Sequence, residues 1–274
     1  MSLTRNAEAT ASKTANSRWL ELLARAGFIG YGVVHLLFAW LALQIAFGSS
    51  PDDGDQSGAL RTLAAQPMGK FIVIAIGVGM VAMALWQLTQ AAVGHVSEEG
   101  NRRIVERVLS GARTVVYGWF AFTAYKVVNS ASSSSSADQQ EDMTSKLMES
   151  TGGRWLVGFV GLVVAGIGIG QAIYGIKKKF EKNLKTGEMS AKTRQLARKL
   201  GMAGYAARGS AFAVAGVLVV VAAVNYDPEK ARGLDAALRT LRDQPFGTIL
   251  LGLVALGIAA FGVYCFLQSR YRKV

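Results

Sequence analysis

Apolar and polar positions alternate in blocks along this chain. Six stretches are almost continuously apolar: residues 27–47, 70–93, 108–129, 155–176, 201–224 and 246–268. Each is long enough for a helix of about 20 residues, the length that crosses a bilayer. Polar segments separate them. The third block is the least uniform, with Arg113 and Lys126 at its two ends. The pattern predicts an all-α polytopic membrane protein with six transmembrane helices. A chain that is 51% hydrophobic, with its apolar residues in unbroken runs, supports that class over a soluble domain.

One segment before an apolar block is written more than once. Ala59–Gly69 and Ala237–Gly247 are identical at eight of eleven positions, at an offset of 178 residues. The shared core includes Gln66, Pro67 and Gly69 in the first copy and Gln244, Pro245 and Gly247 in the second. A degenerate third copy ends in Lys146-Leu147 and Gly152-Gly153-Arg154-Trp155. Repeats at this spacing define the architecture. They divide the chain into a tail (1–18), repeat one (19–94), repeat two (104–180), a basic linker (181–195) and repeat three (196–274). Each repeat is a two-helix hairpin. An even number of spans keeps the repeats in one orientation, related by an axis along the membrane normal. A pseudo-threefold bundle is the simplest closed arrangement; a linear stack of hairpins is the alternative.

The segments ahead of the even spans are expected to be helical. Leu234, Leu238 and Leu241 recur at helical spacing between charged residues, and Leu60 and Leu63 repeat the design. These read as short interfacial helices at the outer face. Repeat two instead carries Ser132–Ser136 and then an acidic run to Asp142, expected to be a mobile loop. Small residues recur in register on the even spans: Gly77, Gly161 and Ala255; Ala82, Gly166 and Ala260; Ala84, Gly168 and Gly262. They predict close packing of the even helices about the axis.

Charge adds topology. The net charge is +12. Twenty Lys and Arg fall on the side of the termini and eight on the other, which places both termini in the cytoplasm. The excess therefore reads as a topology signal, with no nucleic-acid partner. Residues 1–18 lack the apolar core of a signal peptide, so the first span is expected to insert uncleaved. The sole cysteine, Cys265, excludes an internal disulfide. Lys177-Lys178-Lys179 follows a span directly and suits an anionic lipid surface.

Catalytic chemistry is not apparent. The nucleotide, zinc, serine-hydrolase and calcium motifs are missing. The two histidines, His35 and His95, do not form an evident ligand pair, and His35 reads as a polar-tipped aromatic filler. Carboxylates are missing from the span interiors, which argues against a proton-coupled pump. No cofactor or metal is expected, and the chain is expected not to be an enzyme. The candidate binding groups are Arg113 and Arg208, aligned in the repeats with Tyr31, together with Gln87 and Gln171 on the even spans. They could hold a lipid phosphate or another anion, because guanidinium binds such groups bidentately. Trp19, Trp86 and Trp155 lie near predicted boundaries and read as an aromatic belt.

Gly204-Tyr205-Ala206-Ala207-Arg208-Gly209 and the Ala-Leu-x-x-Leu-x-x-Gln-Pro-x-Gly segment resemble the bacterial domain-of-unknown-function 1206 family. The likeness runs from about residue 19 to the end. It is specific in repeat three and weak in repeat two, which lacks Gln-Pro. It implies three tandem two-span units in a bacterial inner membrane, and no established activity. The expected function is a scaffold or accessory subunit that binds lipid, a membrane-protein partner or a second copy of itself. The alternative is a channel or transporter for a small solute or lipid.

Overall fold

The computed structural model describes residues 18–48, 56–93, 100–129 and 136–273. Among these the fold is all-α, with nine helices and no strand. They are α1 (Arg18–Ala46), α2 (Gln56–Ala64), α3 (Gly69–Val93), α4 (Gly100–Asn129), α5 (Ser136–Met148), α6 (Thr151–Ile176), α7 (Ala191–Asn225), α8 (Leu234–Arg242) and α9 (Gly247–Tyr271). Five are long and apolar enough to cross a membrane: α1, α3, α6, α7 and α9. The expectation of six spans therefore meets an exception in α4. Its 30 residues would reach across, but Arg102, Arg103, Glu106, Arg107 and Arg113 crowd its first half.

The long helices pack by a simple rule. The second long helix of each hairpin lies against the first of another: α3 on α4, α6 on α7, and α9 on α1. Within hairpins, α1 packs on α3 and α7 on α9. The remaining pair, α4 and α6, makes no comparable contact. The helices thus run in space as α4, α3, α1, α9, α7, α6, with a seam between the two ends.

Small residues set these contacts, though not between the even helices as expected. On α6, Gly161 and Gly168 lie against Gly216 and Gly209 of α7. On α9, Gly262 meets the Gly32 carbonyl of α1, and on α3, Gly77 faces Ala124 of α4. Side-chain-free surfaces let backbones approach where lipid supplies no hydrophobic drive. Gly166, from the same pattern, faces outward.

The repeated motif builds one corner three times. In repeats one and three a turn joins the short helix to the long one. The Gln66 and Gln244 carbonyls accept from the Gly69 and Gly247 amides, both at 2.8 Å. Pro67 and Pro245 sit second in these turns, and Met68 and Phe246 sit third at positive φ of 64° and 59°. This is the type II pattern. A Cβ at Gly69 or Gly247 would strike the carbonyl of Leu63 or Arg242, so only glycine closes the corner. Repeat two reaches the same place differently. Ser150 caps α6 by accepting from the Gly153 amide, and a Cβ at Gly153 would strike the Leu147 carbonyl.

The expected loop over 136–142 is instead the start of α5. Residues 130–135 lie outside the described residues. Local sequence gives α5 little apolar face. It is held by distant partners: Arg232 binds Glu141 at 3.0 Å and Asp138 at 3.1 Å. Arg232 and Arg239 also bind Asp235, which is buried at the head of α8.

At the opposite end, the basic connection is folded. Phe180, in a 3-10 turn (Lys179–Asn183), is buried and stacks on Tyr205 at 5.6 Å. Glu181 accepts two hydrogen bonds from Arg198, at 2.7 and 3.0 Å. The strand-like end of the chain returns here: the Lys185 amide donates to the Tyr271 carbonyl at 2.7 Å.

Candidate functional site

The seam between α4 and α6 opens on a cavity of about 480 Å³. Its walls are apolar: Val116 and Phe120 of α4, Val157, Val160 and Val164 of α6, and Ala215 and Val219 of α7. The face of α5 that carries Gln140, Met143, Thr144 and Leu147 covers it, together with Gly233 and Leu234. Gly233 has φ of 61°, and a Cβ there would collide with the Gln140 carboxamide oxygen. Glycine therefore lets the cover sit close.

The floor is polar. Tyr31 and His35 of α1 and Arg208 of α7 reach it from opposite sides. Among the described residues Arg208 is the only charged one in the lining. Its Cα lies 17 residues before the end of α7, about 25 Å along the helix at 1.5 Å per residue. The guanidinium rests on aromatic faces, 4.9 Å from the Phe261 ring, 5.4 Å from Phe212 and 5.6 Å from Tyr31. Rings stabilise a cation without neutralising it. Among the described residues no carboxylate pairs with Arg208, and its Nε is buried with no hydrogen-bond partner. An unpaired buried cation is costly unless something balances it.

His35 is more than a filler. Its Nδ1 lies 2.8 Å from the Tyr31 carbonyl, which can only accept, so Nδ1 carries the hydrogen. Its ring packs on Tyr31 at 4.3 Å and on Phe261 at 4.8 Å. Arg208 touches the same two rings, so the two polar groups share one floor.

Beneath the floor the bundle is filled. Tyr31, Phe261, Tyr205, Tyr264 and Phe180 form a continuous run of ring contacts down to the folded basic connection. The cavity is blind at that end.

The structure brings together only part of the residue set expected from sequence. Tyr31 and Arg208 meet at the floor. Arg113, though aligned with them, is exposed and does not line the cavity. Gln87 is buried off the cavity, and Gln171 is half-buried with its Oε1 unpartnered, also outside the lining. Gln66, Pro67, Gly69, Gln244, Pro245 and Gly247 shape the corners described above and touch no site. Trp86 is no belt residue: it is buried edge-on to Phe28 at 5.6 Å, with Arg272 over its ring. Trp155 faces outward as expected. His95 and the Trp19 side chain lie outside the described residues. Sequence reasoning missed His35 as a floor residue and α5 as a cover. The spacing from Tyr31 to His35, one helical turn, was the available signal.

The sequence matches the family described as Domain of Unknown Function (DUF1206) over residues 26–94, 110–178 and 203–272. The chain belongs to this family. The three matched segments are the three hairpins, each pairing an odd long helix with the next even one. An uncharacterized protein of Bacillus subtilis (strain 168), YxxB, is 28% identical over 264 residues, covering 96% of this chain and 94% of its own length. No solved structure matches. The family match gives the threefold repeat, and neither it nor the relative assigns an activity, so the site is argued from its chemistry.

Proposed function

We propose that this protein is a non-enzymatic, membrane-embedded binding protein for an amphiphile that carries an anionic group, received through the α4–α6 seam. The observation that carries this is Arg208. Among the described residues it is a cation without a carboxylate partner, at the floor of an apolar cavity open toward lipid. A ligand with an anionic end and an apolar body would balance the guanidinium and fill the walls at once. Pockets of roughly 300–1,000 Å³ suit single small ligands. The blind aromatic end favours binding over conduction, so the channel or transporter reading is the weaker one.

The surrounding reading is a six-span bundle of pseudo-threefold design in a bacterial plasma membrane. α4 is its sixth span, and both termini are cytoplasmic. Support comes from the shared packing rule, the threefold corner and the basic excess at the Phe180 end. In that orientation the cavity lies toward the outer leaflet. Basic side chains at the cytoplasmic end suit anionic lipid.

The test is lipid retention. The wild-type protein and an Arg208→Gln variant are purified in mild detergent, and co-purifying lipids are measured by mass spectrometry. An anionic amphiphile is expected with the wild type and depleted at least tenfold in the variant. Equal lipid content in both would refute the site. Ion or solute flux through liposomes containing the pure protein would favour the channel.

A further inference from the structure

Beside the Tyr31 ring, the floor holds two polar groups of opposite demand, Arg208 and His35, and together they restrict the head group. Arg208 offers N–H donors and a positive charge but accepts nothing. His35 has its Nδ1 hydrogen committed to the Tyr31 carbonyl at 2.8 Å. An ordinary histidine is largely neutral at pH 7, so its Nε2 is an acceptor that wants a hydrogen. Packing between Tyr31 and Phe261 holds the ring in place. A matching ligand therefore presents an anionic oxygen and, on the same small group, an O–H.

Common lipid head groups divide on that requirement. A carboxylate satisfies a guanidinium bidentately but has no hydrogen to give. A phosphodiester likewise has charge and no P–OH; where its head alcohol carries hydroxyls, as in phosphatidylglycerol, they sit on carbons several bonds from the anionic oxygens and not on the phosphate itself. A phosphate monoester in its monoanionic form has both. Its single negative charge also matches the single cation of the lining, where a second uncompensated charge would be costly in an apolar cavity. The second ionisation of such a group falls near pH 6 in water, so the monoanion is accessible at neutral pH.

Resting on the amphiphile-binding reading, we propose that the ligand is a membrane lipid with a phosphate monoester head. Its phosphate oxygens take the Arg208 hydrogen bonds and its P–OH donates to His35 Nε2. One apolar chain lies along Val116, Phe120, Val157 and Val160 and leaves through the seam. The cavity volume of about 480 Å³ lies in the range that suits one small ligand. Binding is non-covalent, and no bond is made or broken.

The experiment uses the full chain in nanodiscs of zwitterionic lipid. Competition is measured against a fluorescent alkyl phosphate, with four probes: hexadecyl phosphate, hexadecanoate, a phosphatidylglycerol and inorganic phosphate. Hexadecyl phosphate is expected to compete at least tenfold better than hexadecanoate or phosphatidylglycerol. Inorganic phosphate is expected to fail, because it lacks the chain. This comparison needs no variant and survives any folding defect. In His35→Phe, which keeps an aromatic ring, the preference for the monoester over hexadecanoate is expected to collapse toward unity while both still bind. Monoester and carboxylate competing equally on the wild type, with no change in His35→Phe, overturns the head-group assignment and leaves the amphiphile site standing. Competition by inorganic phosphate at the same concentration overturns the role of the chain. No binding of the fluorescent probe, or binding unaffected by Arg208→Gln, overturns the underlying reading itself.

Discussion

Replacing Gly161 by alanine isolates what holds α6 to α7. A Cβ at this position would fall 2.8 Å from the Val220 amide nitrogen and 2.9 Å from the Gly216 carbonyl oxygen. Both obstacles are backbone atoms of α7, so no rotamer change relieves them. Ordinary contact begins near 3.4 Å, so the helices must part by about half an ångström. Overpacking of this kind costs about 1–3 kcal/mol. The alanine also gains about 0.5–1 kcal/mol of helix preference over glycine. The net expectation for Gly161→Ala is a loss of about 1–2 kcal/mol. Gly170, about two and a half turns nearer the Phe180 end, is the control. It is exposed on the same helix, with nothing within 4 Å of an added Cβ. There the helix preference acts alone, and Gly170→Ala is expected to be neutral or stabilising by up to about 1 kcal/mol. Thermal unfolding in a fixed detergent should separate the two variants by several degrees, at about 2–4 °C per kcal/mol. Equal midpoints, or a more stable Gly161→Ala, would refute the glycine-seam account of this packing.

Other parts of the molecule give further expectations. Asp235 is 1% exposed and accepts from Arg232 and Arg239, so Asp235→Ala loses these charge-assisted bonds and should cost about 2 kcal/mol, read from unfolding midpoints. Arg232→Gln removes the ties to Asp138 and Glu141. Hydrogen exchange in α5 should then accelerate while α6 and α7 remain protected. The Arg198 hydrogen bonds hold the Glu181 carboxyl below the usual carboxylate range, against a small opposing effect of burial. That contribution is present above the unfolded pKa of about 4.3 and is lost as pH falls through the lower folded value. Glu181→Gln should flatten this acid limb, and the effect should be small because the pair is solvated. Cys265 is completely buried, so a membrane-permeant maleimide should label it only on unfolding.

Much of this fold was legible because local sequence encodes it. The apolar blocks specify the long helices, and the Leu234, Leu238 and Leu241 spacing specifies α8. The reason for Gly69 and Gly247 emerged only with the corner itself, where a carbonyl occupies the place of a Cβ. α5 was illegible because its order comes from Arg232, some 90 residues away, and not from its own apolar pattern. Arg113 does not join Arg208 at the cavity, for a related reason. Repeat alignment fixes position along an axis but not rotation about it, and α4 lacks the α6 contact that its counterparts have within their hairpins. Trp86 misled because nearness to a boundary says nothing about which way a ring turns. Arg208 was noted as a basic residue about one turn inside a span; its place on the cavity floor, like that of His35, depends on neighbouring rings that the sequence does not show.

The unmade contact between α4 and α6 has a mechanical meaning. A closed circle of six packed helices resists widening equally in all directions, because any expansion breaks a glycine-lined seam. A circle already cut at one point has a soft direction. α4 is held chiefly by α3, so widening at that point separates no glycine-lined pair of α4 with α6, while the α6–α7 and α9–α1 joints keep theirs. Under the proposed function, the work of admitting a ligand would fall on this one edge and not on the Arg208 floor.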